Sequence, residues 1–161
     1  LRVDRVDENG IPASIGHIAP DPFEDDFDEV GVVRRLQSRR SEIKRAILDQ
    51  GTLSGVGNIY ADESLWRAKI HPEVPAGELS EKELHRLLTA IRSVMQEAMQ
   101  MGGTSFDQLY VNVNGESGYF ANRLSVYGRE GESCHRCRSK IKRIQFTNRS
   151  SHFCPQCQRI R

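Results

Sequence analysis

Four cysteines, the only ones in the 161-residue chain, fall into two pairs, Cys134-His-Arg-Cys137 and Cys154-Pro-Gln-Cys157, with sixteen residues between them. No other feature restricts the fold as tightly. Each Cys-x-x-Cys pair suits a tight knuckle that turns two thiolates toward one point, and a hairpin of the intervening length brings the two knuckles together. The spacing therefore predicts a zinc ribbon in which Cys134, Cys137, Cys154 and Cys157 close a tetrahedral site around one Zn2+. A four-thiolate shell leaves no open coordination position, so the metal is expected to be structural. The competing reading, two disulfides or merely buried thiols, fits less well, because a chain of this size needs no disulfide staples. Thiols kept for a metal point to a reducing setting, cytoplasmic or nuclear.

The formal net charge of +1 hides a division. Residues 123–161 hold ten Lys or Arg against Glu130 and Glu132, a net of +8, while residues 1–122 carry a net of −7. A basic zinc hairpin on an acidic chain points to a polyanionic partner, the alternative being a solvated basic face. No run of about 18 apolar residues exists, so no membrane span is expected.

Leu1-Arg-Val-Asp-Arg-Val alternates apolar and polar residues like a strand entered midway. Residues 1–19 read as two extended pieces without a sheet to join, and the chain is expected to be the C-terminal part of a longer protein. Pro20-Asp21-Pro22 marks a boundary. Phe27, Val30, Val33 and Leu36 recur at helical spacing, Ser41 is expected to cap a helix over 42–50, and Ile43, Ala46 and Ile47 form its inner face. A glycine-rich turn through Gly55 and Gly57 leads into a helix over 59–69, with Ile59, Leu65 and Trp66 available for burial. Ser80-Glu-Lys-Glu83 is a capping box opening the longest helix, to about Met101, with Leu84, Leu87, Leu88, Ile91, Val94, Met95 and Ala98 on one stripe. Residues 104–122 form a long polar connection before the ribbon. The fold expected is mainly α with a small β zinc ribbon, in the units 1–19, 20–122 and 123–161, the finger itself occupying about 125–159.

Three motifs carry a resemblance. Leu53-Ser-Gly-Val-Gly-Asn-Ile-Tyr-Ala-Asp-Glu63, Gly118-Tyr-Phe-Ala-Asn-Arg-Leu-Ser-Val-Tyr-Gly-Arg129 and Arg149-Ser-Ser-His-Phe-Cys-Pro-Gln-Cys157 are similar to the C-terminal half of bacterial formamidopyrimidine-DNA glycosylase. The resemblance implies a helix-two-turn-helix domain followed by a four-cysteine zinc finger hairpin, together clamping damaged duplex DNA. It implies excision of oxidised purines such as 8-oxoguanine and formamidopyrimidines, then β,δ-elimination at the abasic site. It also assigns residues: Asn58, with Gly57 in the same turn, to a phosphate, Lys44 beside the lesion, and Arg149 to the phosphates around a flipped nucleotide and to strand cleavage. Arg39 and Arg40 fit phosphate contact on physical grounds. The segment holding Tyr110, Asn112, Gly115, Gly118, Tyr119 and Phe120 matches a loop that closes over an extruded base. Glu63 and Asp49 match family positions too, but burial or helix pairing accounts for both.

The family's N-terminal proline amine, the glutamate beside it and a hairpin lysine of the first domain have no counterpart in this segment, so residues 1–19 are read as the remnant of that β-rich catalytic domain. The fragment is expected to bind damaged DNA as a monomer without excising a base. Alternatives are an endonuclease VIII-type enzyme for oxidised pyrimidines, a non-enzymatic zinc-ribbon nucleic-acid-binding module, or a zinc-stabilised protein-interaction domain.

Overall fold

The computed structural model describes residues 21–101 and 123–160. The expected extended pieces of 1–19 and the residues from Tyr110 to Phe120 lie outside this range. Four α-helices, α1 (Glu29–Gln37), α2 (Ile43–Leu48), α3 (Asn58–Ala68) and α4 (Glu81–Gln100), precede a hairpin of β1 (Lys142–Phe146) and β2 (Arg149–Phe153). The mainly helical fold with a small β ribbon is as the sequence indicates.

Local chemistry sets the helix boundaries. Ser80 accepts from the Glu83 amide while the Glu83 carboxylate accepts from the Ser80 amide, which completes the capping box of α4. All seven residues of the expected α4 stripe are buried. In α1, Asp28 is the cap and accepts from the Gly31 amide. The helix then turns Val32, Val33 and Leu36 inward and leaves Val30 half exposed, so the inner face differs from the expected one by a single position. Ser41 does not cap α2. The helix starts after Glu42 because its first amides are taken by another segment: Ile43 N donates to Val74 O and Lys44 N to Pro72 O, beside a Glu42–Pro75 bridge. Backbone pairing with residues 72–75 replaces a side-chain cap.

The centre of the molecule is α3, which buries nine of its eleven residues. It packs on α4 through an apolar face and on β2 through a polar one. A helix buried all round belongs to a core, yet this one carries Asp62 and Glu63, both essentially without solvent exposure. The hairpin pairs antiparallel with Phe146 opposite Arg149, leaving the two-residue turn Thr147–Asn148. Thr147 has φ 51°, a left-handed conformation that costs a β-branched residue about 1–3 kcal/mol.

Gly77 is required by space. Its amide donates to Arg39 O at 2.8 Å, and a Cβ built there would stand 2.8 Å from that same oxygen and 3.0 Å from Gln37 O. Both are backbone atoms and cannot swing aside. Gly77→Ala is expected to cost about 1–3 kcal/mol, read as a lower midpoint in urea unfolding; an unchanged midpoint would show that the α1–α2 connection yields freely.

Candidate functional site

The ribbon is fastened to α3 by side chains spaced along one stripe, Asn58, Asp62 and Trp66, with Glu63 beside them. Asn58 Nδ2 donates to Ser150 O at 3.1 Å. Asp62 lies one turn on and accepts from the His152 amide (2.9 Å) and the Ser151 hydroxyl (3.2 Å). Glu63 accepts three successive backbone amides, Ser125, Val126 and Tyr127, at 2.8, 2.9 and 2.9 Å. Burial raises the Glu63 pKa, and those three amides oppose the shift by stabilising the anion. Trp66 Nε1 donates to Cys134 Sγ at 3.4 Å, and the Arg136 guanidinium stacks 3.7 Å from the Trp66 ring. At the far end Gln158, fully buried, donates to Ile70 O and accepts from the Cys154 amide.

The sulfurs of Cys134, Cys137, Cys154 and Cys157 all lie within 4.8 Å of one another, with Cys134–Cys157 at 3.8 Å and Cys137–Cys154 at 3.4 Å. Tetrahedral zinc with bonds of about 2.3 Å needs sulfurs about 3.8 Å apart. The donor set fits one four-coordinate metal ion, and the N–H groups aimed at Cys134 and Cys154 suit sulfurs carrying negative charge.

Between the hairpin and the helices runs an open cleft of about 1370 Å³. Gly57 caps α3 with no side-chain hydrogen bond, and nothing lies within 4 Å of where its Cβ would stand. The first amides of α3 therefore meet the cleft at the positive end of a helix. Its Gly57 φ is ordinary; the positive φ of the turn falls on Gly55, at 87°. Four arginines line the cleft, Arg39, Arg45, Arg143 and Arg149. Arg39 is held by Asp49 at 2.7 Å and by the Thr52 hydroxyl; Arg45 pairs with Glu42 and Arg143 approaches Glu130. The Gly51 amide and Arg39 together hold the Asp49 carboxyl below its usual range. Arg149 is exposed and alone of the four has no ion-pair partner among the described residues.

The structure thus brings Arg39, Gly57, Asn58 and Arg149 to one cleft, and leaves Arg40 exposed and outside its lining. Lys44 differs from expectation. It has no exposed surface: Nζ lies 2.7 Å from Asp62 Oδ1 and donates to Ser150 O (3.1 Å) and Ser151 Oγ (2.9 Å), beneath the cleft rather than in it. The helix that carries it turns this residue inward together with Ile43 and Ala46. Arg45 and Arg143 in the cleft and Asp62 beneath it are not expected from the sequence. Asp62 had a usable signal, since Asn58, Asp62 and Trp66 recur every four residues.

Helices and ribbon of this kind define a class, a helical domain with a helix-turn-helix pair joined to a four-cysteine finger. Residues 18–109 match the formamidopyrimidine-DNA glycosylase H2TH domain, and residues 131–160 match the zinc finger found in that glycosylase and in IleRS. The chain belongs to the formamidopyrimidine-DNA glycosylase family and corresponds to its C-terminal half. It is 59% identical over 153 residues to the Rhodococcus erythropolis formamidopyrimidine-DNA glycosylase, covering 95% of this chain and 53% of that protein. Among solved structures it is similar to the Lactococcus lactis enzyme non-covalently bound to DNA containing an abasic site (TM-score 0.77, 40% identity, 89% of this chain and 50% of that one). A Lactococcus lactis mutant in complex with Fapy-dG DNA gives a TM-score of 0.79 at 39% identity, over 89% of this chain and 52% of that one. The chain spans about half the length of the curated relatives it matches.

The only tryptophan of the chain touches a metal-site sulfur. Removing metal with a chelator is expected to red-shift its fluorescence and to lower the melting temperature of the helical signal by at least about 5 °C, because Asp62 and Glu63 lose buried partners. Helix melting unaffected by the chelator would mean that the ribbon is not coupled to α3.

Proposed function

We propose that this chain is the DNA-gripping C-terminal portion of a bifunctional base-excision enzyme. The whole protein removes oxidised purines, 8-oxoguanine and formamidopyrimidines, and nicks the abasic strand by β,δ-elimination. The observation that carries the reading is the pairing, across one cleft, of Arg149, which has no ion-pair partner among the described residues, with the N-terminus of α3 at Gly57 and Asn58, which has no side-chain cap. A guanidinium keeps its charge and offers two parallel donors, and helix amides add a fixed positive potential, so the two walls suit a phosphodiester between them.

In this reading Arg149 clamps the phosphates beside the lesion and stabilises negative charge on the leaving phosphate during elimination. As a group of very high pKa it acts through its field rather than by giving up a proton. Arg39 lines the cleft and the exposed Arg40 follows it in the chain, both adding positive charge, while Lys44 supports the hairpin from below. Asn58 belongs to the phosphate wall, and its Oδ1, buried without a partner among the described residues, leaves its amide only half engaged. The family resemblance assigns Tyr110, Asn112, Gly115, Gly118, Tyr119 and Phe120 to the extruded base. One structural zinc, held by the four cysteines, would cross-link the base of the hairpin so that Arg149 stands at a fixed distance from α3. The nucleophilic amine comes from the half of the relatives that this chain does not span, so this portion binds damaged duplex without excising. We place the protein in the cytoplasm as a monomer.

Binding of the zinc-loaded chain to a duplex bearing an abasic analogue should weaken steeply between 50 and 200 mM salt. A salt-independent interaction, or none, would favour a protein-interaction role instead. Borohydride should fail to trap the chain on abasic DNA, and efficient trapping would reveal an amine within this segment. In the complete enzyme, Arg149→Ala should lower strand cleavage by about 100-fold with a melting point near that of the parent; retained cleavage would remove Arg149 from the site.

A further inference from the structure

The cleft explains the arginines and the start of α3 but gives no role to Asp62, which lies outside its lining and is fully buried. Its carboxylate gathers Lys44 Nζ at 2.7 Å, the Ser151 hydroxyl at 3.2 Å and the His152 amide at 2.9 Å. Lys44 passes the constraint on, donating to Ser151 Oγ and to Ser150 O, and Ser150 O also accepts from Asn58. Three consecutive residues of β2 are thus fixed from two helices. The residue that precedes them is Arg149.

Stability alone is a poor account of this arrangement. A buried ion pair forfeits solvation roughly equal to its attraction, and apolar substitutes are often as stable. Directional bonds to successive backbone and side-chain groups of one strand supply something else, a defined position along and across α3. The pair also manages a repulsion: burial pushes the Lys44 pKa down, Asp62 opposes the shift, and the charge of Arg149 nearby adds to it. Without Asp62, Lys44 and Arg149 would be two cations at close quarters with no anion between them.

We infer that Asp62 is a positioning residue: through Lys44 and the Ser150–His152 segment it sets where Arg149 stands relative to Asn58, and so tunes the cleft to one phosphodiester geometry. This rests on the reading of the cleft as a phosphate site.

The test uses the zinc-loaded chain and a duplex carrying a tetrahydrofuran abasic analogue. Lys44→Met with Asp62→Asn removes both charges yet keeps an acceptor for the His152 amide, so melting is expected within a few degrees of the parent while affinity falls about tenfold. The deciding measurement is coupling. Arg149→Ala should cost about tenfold in the parent and less than about twofold in the double variant, because the arginine is already misplaced there. Equal costs in both backgrounds, or a double variant that binds like the parent, overturn the inference. Ser151→Ala, which deletes only the hydroxyl between Lys44 and Asp62, is the second arm and should keep the fold while weakening binding about threefold. If the double variant unfolds and Ser151→Ala binds normally, the network only cements the fold and the inference fails. A parent chain with no salt-dependent affinity for any duplex sinks the cleft reading itself, whereas additive Arg149 costs in a parent that binds sink only the positioning role.

Discussion

A helix enclosed on every side must find partners for the carboxylates it buries, and α3 meets that demand for Asp62 and Glu63 by accepting the ribbon. Its apolar face docks on the long stripe of α4, where burial of each large side chain contributes about 1.5–3 kcal/mol. Its other face holds two neighbouring carboxylates that would be costly to bury alone. Glu63 is offset by three amides of the incoming chain and Asp62 by an amide, a hydroxyl and an ammonium. Helix and ribbon are each incomplete without the other.

That dependence changes the meaning of the metal site. A two-stranded hairpin of this size has too little core to fold alone, and four thiolates around one ion would fix its base. Fixing the base does not orient the tip, however. Orientation comes from Trp66 and Arg136 at the first knuckle, Gln158 at the second, and the Lys44–Asp62 pair under β2. The finger acts as an arm whose joint is welded to the central helix rather than as a separate module on a flexible tether.

Much of this was legible in the sequence. The capping box and stripe of α4, the inner face of α2 and the clustering of the four cysteines follow from short-range rules that the structure obeys, because in each case local chemistry and burial agree. The displaced inner face of α1 and the missing Ser41 cap show where those rules stop: a cap at Asp28 rotates one helix, and long-range pairing with residues 72–75 starts the other. Lys44 illustrates the same limit at the site. A lysine beside a glycine turn reads as surface from spacing alone, and only an aspartate eighteen residues later, brought against it by the turn between α2 and α3, makes its burial tolerable. Arg149 was legible from motif and position, but its lack of an ion-pair partner among the described residues is a fact of three dimensions.

Thr147, at the tip of the hairpin, occupies a backbone region that its branched side chain disfavours. A turn that does not choose its own shape takes it from its two legs, and those legs are clamped at one end by the cysteines and along one side by α3. The tip's disfavoured conformation is thus imposed by its legs, two residues from Arg149. The hairpin thereby links the integrity of the docked assembly to the position of the exposed Arg149 beside its tip.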